Sequence, residues 1–422
     1  MWFVILWIIL GMLFVGHALI RRRWITGQTA FTGVWFASLT ILWFSPSTRN
    51  IISEDAALII VLANASFFVG SVTMSNLSSI RVFSSSEKFL LTNSSWRASV
   101  YVFWFFISFG ITGSVLMALR IGTFTALQEG TLALLRSDLS AQRIQVIFYE
   151  RLMSNFLYPA ALLGAVCFLF SKRSLWSWFY LLLPLMALLV YSINFGGRGA
   201  ITIGGLMIFW VLIIGRTKLF GGKIKGPTEL LLLIGLGAFV LWYFSFIFGT
   251  RLTTFNYVER SVIIRQLFYR YFASPIPGFS EWLNLHQPLP LINLDFSHVA
   301  VVREVMRFFG FQIESATIWD IVFIPYPYNI FTHLSEQICY FGIIGTLVIS
   351  FILGTISGRM ENKLLSIPVI GARATIYTYL SFSLFADLSF FAVGWWFALI
   401  AATLIIPLID CGKCIYRHTN KT

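Results

Sequence analysis

Apolar residues in this chain fall into runs of about 20, the length an α-helix needs to cross a hydrocarbon layer roughly 30 Å thick, with short polar stretches between them. A chain patterned this way has no water-soluble solution. Of its 422 residues 58% are hydrophobic and 11% charged, whereas a soluble domain carries about 25% charged residues. The pattern predicts an all-α polytopic membrane protein with about 11 transmembrane helices. With no Pro/Ser-rich linker and no repeated unit, residues 1–422 read as one membrane-embedded bundle.

The expected spans are 2–20, 30–46, 55–76, 98–119, 155–171, 175–193, 199–216, 228–249, 338–358, 367–386 and 389–409. The second is short and the tenth carries Arg373, so loss of either would reverse the parity of all that follows. Charge tests the parity, because Lys and Arg concentrate in short cytoplasmic loops. With the amino terminus outside, the inner loops hold 18 of the 30 basic residues and 4 of the 17 acids. The net charge of +13 is therefore a topology signal. It calls for no nucleic acid, since no basic domain or aromatic-basic motif is present.

Met1 and Trp2 supply no positive n-region and no small-x-small site precedes Arg21, so the first span reads as an uncleaved anchor. Cys167, Cys339, Cys411 and Cys414 form no disulfide framework, and the Cys411-x-x-Cys414 pair lacks the second ligand pair that zinc requires.

Two longer polar pieces are expected outside. The first, about 120–154, has Ser137 ahead of a stretch in which Ile144, Ile147, Leu152 and Met153 are interleaved with Arg143, Glu150 and Arg151, the pattern of a helix lying on the membrane surface. Residues 250–337 form a large extracytoplasmic loop, far longer than an ordinary connection and so expected to carry function. Within it, Asn256 and Glu259 have capping-box spacing ahead of a helix to Phe272. Pro275, Pro277 and Gly278 end that helix, and a second runs from about Ser297 to Phe309.

Three constellations carry candidate chemistry. Asn194-Phe195-Gly196-Gly197-Arg198-Gly199 is either a tight interhelical turn or a phosphate cradle, with Gly197 exposing backbone amides beside a bidentate Arg198. Phe248-Gly249-Thr250-Arg251 places Arg251 at the same expected membrane level, either snorkelling or gripping the same pyrophosphate. Arg260, Arg265 and Arg270 follow at intervals of five and do not share a helical face. In the third, Tyr328-Asn329-Ile330-Phe331-Thr332-His333-Leu334-Ser335-Glu336, His333 and Glu336 lie at i and i+3 on one face, spacing suited to general base work or to an ordinary interfacial helix start. Gly342, Gly345, Gly354 and Gly358 read as close-packing positions. Nucleotide-binding, Asp-x-Asp, H-E-x-x-H and G-x-S-x-G motifs are absent, so a reaction here needs a donor that is already activated.

Together these residues resemble the Wzy-type oligosaccharide repeat-unit polymerases, the family of O-antigen and capsule polymerases. Tyr328-Asn329-Ile330-Phe331-Thr332, followed after nine residues by Gly342-Ile343-Ile344-Gly345, is similar to that family's Asn-x-aromatic-Thr segment leading to a Gly-x-x-Gly span. Gly196-Gly197-Arg198 resembles its arginine turn, and Tyr271-Phe272-x-Ser274-Pro275-Ile276-Pro277 its Tyr-x-x-x-Pro stretch. The likeness covers roughly 190–360. Phe331 stands where related O-antigen ligases carry histidine, and Leu334 follows His333, which favours polymerase over ligase.

The resemblance implies a glycosyltransferase on the periplasmic face of the bacterial inner membrane. It joins undecaprenyl-pyrophosphate-linked oligosaccharides into O-antigen or capsule-type polysaccharide, with no metal or cofactor. Glu336 or His333 would be the base. Arg198, Arg251, Gly197, Asn329, Thr332, Tyr328 and Arg270 would bind substrate. Membrane lipids and a chain-length regulator protein are the implied partners. An O-antigen ligase and a transporter, either a lipid-linked oligosaccharide flippase or a small-solute carrier, are the alternatives, the flippase disfavoured by the long loop and the absence of a repeat. The topology has a direct check: with Gln287→Cys and Asn420→Cys variants, an impermeant maleimide added outside intact cells labels the first and spares the second. The reverse pattern would overturn the orientation.

Overall fold

The computed structural model describes residues 1–21, 24–44, 48, 50–79, 93–131, 134–135, 138–139, 147–171, 175–194, 199–219, 266, 270–311, 321–324, 327–328, 332–361 and 367–407. Six helices among them are long and apolar enough to cross a membrane: Trp2–Ile20, Glu54–Ser75, Ser99–Ile121, Phe148–Phe170, Trp176–Asn194 and His333–Glu361. Gly199–Gly215 and Val393–Ile405 are shorter apolar helices. The chain is a helical membrane-embedded protein. The expected second and tenth spans are 16-residue helices, and the eighth, 228–249, lies outside the described residues.

In chain order the helices are α1 Trp2–Arg21, α2 Gly27–Leu42, α3 Glu54–Ser79, α4 Asn93–Ile121, α5 Thr123–Gln128, α6 Phe148–Ser154, α7 Leu157–Phe170, α8 Leu175–Asn194 and α9 Gly199–Leu219. They continue with α10 Pro275–Leu285, α11 Ala300–Phe308, α12 His333–Glu361, α13 Ile367–Phe382, α14 Leu388–Phe391 and α15 Val393–Ile400, which runs on as a π-turn, Ala401–Ile405. Among the described residues the strands amount to one antiparallel pair, β1 Val322–Phe323 with β2 Pro327–Tyr328.

The chain divides into two compact units. The first comprises Met1–Glu87, Phe268–Lys363 and Tyr379–Val393; the second comprises Lys88–Leu267, Leu364–Thr378 and Gly394–Thr422.

In the first unit α3 and α12 are the most extensively packed pair. Their backbones touch where glycine replaces a side chain: a methyl group at Gly354 would collide with Phe67 O, one at Gly358 with Ser71 O, and one at Gly70 with Phe351 O. Between membrane helices that gain nothing from the hydrophobic effect, such close approach supplies the attraction. Gly354-x-x-x-Gly358 thus packs helices, as its sequence indicates. α2 starts earlier than expected because Thr26 and Thr29 form a reciprocal capping box, and Glu361 Oε1 accepts from Gly27 N at 2.8 Å.

α12 is broken at Gly342, where φ is 73° and ψ 177°. The backbone groups freed by the break are bonded by the extended stretch 290–295. Asn293 N donates to Phe341 O at 3.1 Å and Asp295 N to Tyr340 O at 3.0 Å. In the opposite sense Ile343 N donates to Pro290 O and Ile344 N to Leu291 O, each at 3.1 Å. A side chain at Gly342 would be conformationally strained and would also press on Leu291, so glycine is required twice over. Ser297 donates its N–H and hydroxyl to Asp295 and holds that carboxyl below the usual carboxylate range.

Two expectations for the outer pieces are corrected. Pro275 and Pro277 end one helix but also open another, because a first helical turn has no use for the N–H that proline lacks. Of the expected surface stretch, residues 140–146 lie outside the described residues, and α6 packs against α4 instead of lying apart, Gly113 leaving room for Met153 and Ser154. There the buried Glu150 accepts three hydrogen bonds from Arg120, two from Nε and one from Nη2, at 2.7–2.9 Å, which compensates its charge. α11 falls inside the expected 297–309 segment.

The glycine seam makes a stability prediction. Gly354→Leu and Gly358→Leu each cost at least about 1–3 kcal/mol, the range for overpacking, whereas Gly16→Ala, which has open space around it, is near neutral. Thermal unfolding in detergent checks this; a wild-type midpoint for Gly354→Leu would refute the contact.

Candidate functional site

The first turn of α12 carries the His333–Glu336 part of the third constellation, with Thr332 just ahead of it. Thr332 and His333 are buried, and Ser335 bonds back to Thr332 O through both its N–H and its hydroxyl. His333 donates twice to Ser383 O, from its backbone N and from Nδ1, both at 2.9 Å. A carbonyl oxygen only accepts, so Nδ1 carries the ring proton and Nε2 the lone pair. The rings of Phe31 and Trp35 flank the imidazole edge-on with centroids at 5.5 and 5.7 Å, and Trp35 Nε1 donates to Ser383 Oγ at 3.2 Å. His333 is therefore a clamp between the start of α12 and the turn that follows α13.

Glu336 is 6% exposed, and its Oε2 accepts from Asp387 N at 2.7 Å. Its other oxygen, Oε1, holds no hydrogen bond among the described residues. Asp387 by contrast is fully engaged. Its Oδ2 accepts from Tyr379 OH and Gln337 Nε2, both at 2.7 Å, while Oδ1 accepts from Ser389 N and Oγ and so caps α14. Gln337 Nε2 also donates to Tyr379 OH at 3.0 Å, closing a triangle. Among the described residues no Lys or Arg pairs with either carboxylate. Thr332 Oγ1 and Gln337 Oε1 are buried without a partner beside this network. Chemically the arrangement, among the described residues, is one carboxylate locked by four donors and a second held by a single N–H.

Of the residues expected at the site, Thr332, His333 and Glu336 come together here. Arg270 is half-buried one residue before Tyr271, whose ring packs 5.7 Å from Phe385 in the same turn as Asp387. The backbone of Tyr328 lies in β2. Gly197, Arg198, Arg251 and Asn329 lie outside the described residues. Next to the arginine turn, in the second unit, Asn194 Nδ2 donates to Ser114 O at 3.0 Å. Asp387, Tyr379, Gln337 and Ser383 were not among the expected residues. The sequence signal for Asp387 was slight, a single acidic residue in the short connection between two apolar stretches.

No family model, no characterised protein and no solved structure matches the chain.

The Glu336–Asp387 contact separates two variants. Glu336→Gln keeps an acceptor for Asp387 N–H and stays near wild-type stability. Glu336→Leu orphans that buried donor and loses about 1–3 kcal/mol. Equal unfolding midpoints for Leu and Gln would remove the structural part of the role.

Proposed function

We propose that the chain is a Wzy-type polymerase: a glycosyltransferase that joins undecaprenyl-pyrophosphate-linked repeat units on the outer face of a bacterial inner membrane. Its eleven-span bundle carries residues 250–337 outside. The observation that carries the reading is Glu336, a carboxylate buried at the start of a broken membrane helix, whose Oε2 accepts from Asp387 N while Oε1 has no partner among the described residues. That helix also bears the family-like Gly342-x-x-Gly345 positions, and Thr332 immediately precedes it.

In this scheme the acceptor hydroxyl of one lipid-linked unit gives its proton to Glu336 as its oxygen bonds to C1 of the donor sugar. The bond from C1 to the pyrophosphate oxygen breaks, and its electron pair leaves with undecaprenyl pyrophosphate. Glu336 then passes the proton to water. Asp387, fixed by Tyr379 and Gln337, presents the N–H that orients Glu336, and His333 holds the turn in place. The sequence offers Arg198 and Arg251 as pyrophosphate ligands, where a guanidinium fork outperforms a point charge, so Arg198→Lys should impair extension.

Purified protein in vesicles, given lipid-linked repeat units alone, should lengthen chains without nucleotide. Glu336→Gln should reduce the rate by about 10²-fold or more, while His333→Asn, which keeps a donor for Ser383 O, retains most of it. Full activity of Glu336→Gln would remove the base, and loss of activity in a well-folded His333→Asn would transfer that role to the imidazole.

A further inference from the structure

Helix α11 is amphipathic in the reverse of the soluble sense. Val302, Val305 and Phe308 project outward, and Phe308 and Phe309 are each 71% exposed. Two of its charges turn inward, the side chain of Arg303 being 4% exposed and that of Glu304 14%, while the partly exposed Arg307 reaches back to Glu304 Oε1 with Nη1 at 3.3 Å. A helix that buries its ions and presents its apolar stripe is built against an apolar neighbour.

The stretch that precedes it behaves alike. Leu291, Ile292, Leu294 and Phe296 are all more than half exposed, although the backbone they stand on is bonded to the break in α12. The place of that break fixes their depth. From Ile343 to Glu361 the second half of α12 is about 28 Å long at 1.5 Å per residue, enough to cross the hydrocarbon by itself. Ile344, Val348, Ile352 and Ile356 recur every four residues along it and are exposed, the stripe expected of a face toward lipid. Ile344 begins that stripe and donates its N–H to Leu291 O at 3.1 Å. The exposed side chains of 291–296 thus continue the lipid-facing stripe at the end of the span.

We infer that residues 290–311 form an interfacial membrane element, with Leu291, Leu294, Val305 and Phe308 inserted among the lipids at the edge of the hydrocarbon layer, and that the partner of this surface is the bilayer itself. The inference is independent of the reaction proposed above.

The test uses full-length protein in phospholipid vesicles. With Cys167, Cys339, Cys411 and Cys414 replaced by serine, single nitroxide labels at Leu294→Cys, Val305→Cys and Phe308→Cys should be relaxed by oxygen and shielded from a water-soluble nickel chelate. Gln287→Cys should show the opposite preference by several-fold. Because labelled variants can misfold, the unaltered protein is also photolabelled with an apolar diazirine dissolved in the bilayer, and peptides covering 290–311 should carry the label. Free access of nickel to all four sites, with no diazirine label, would place the element in water and overturn the inference. Shielding from both oxygen and nickel, again without label, would assign the surface to a second copy of the chain or to another part of it, and would overturn it equally.

Discussion

Hydrocarbon offers no hydrogen bonds, so a membrane helix can be interrupted only where something else bonds the freed backbone groups. At Gly342 the stretch 290–295 does this, accepting from two N–H groups and donating to two carbonyls across the break. Much of the first unit follows from that contact. It fixes the direction of the short segment His333–Phe341, and with it the orientation of His333 and Glu336. It also ties the stretch 290–295 to a membrane-length helix at a defined position along it. Unbroken, α12 would carry its first turn straight on, away from the turn at 383–387 that holds both side chains.

Beyond the break, α12 is steadied by its glycine contact with α3, where backbone meets backbone at Gly354, Gly358 and Gly70. This division suits the chemistry. The rigid half of the helix is anchored by close packing, and the half that bears Glu336 is set by hydrogen bonds to Asp387 and Ser383. The second unit solves a similar problem with charge, burying Glu150 against Arg120.

The membrane class was legible because apolar run length is a direct physical requirement of the bilayer. Gly354 and Gly358 were legible for a similar reason: small residues four apart on an apolar helix have few other uses. Gly342 was not, since a glycine that packs and a glycine at positive φ look alike in sequence, and what separates them here is a segment fifty residues upstream. Pro275 and Pro277 read as a stop, yet the same missing N–H that ends one helix is harmless in the first turn of the next. The i, i+3 spacing of His333 and Glu336 gave the right helical turn, but not their unequal roles. Those depend on partners at Ser383 and Asp387, 50 and 51 residues away, which no local pattern announces.

The central claim is that Glu336 removes a proton while a sugar leaves undecaprenyl pyrophosphate. Counting products tests it most directly: in vesicles holding the purified protein, free undecaprenyl pyrophosphate and new glycosidic bonds are quantified from the same sample by mass spectrometry. The account predicts one undecaprenyl pyrophosphate released for each bond formed, with both falling together in Glu336→Gln. Intact lipid-linked units appearing in the opposite leaflet, with neither product formed, would contradict it.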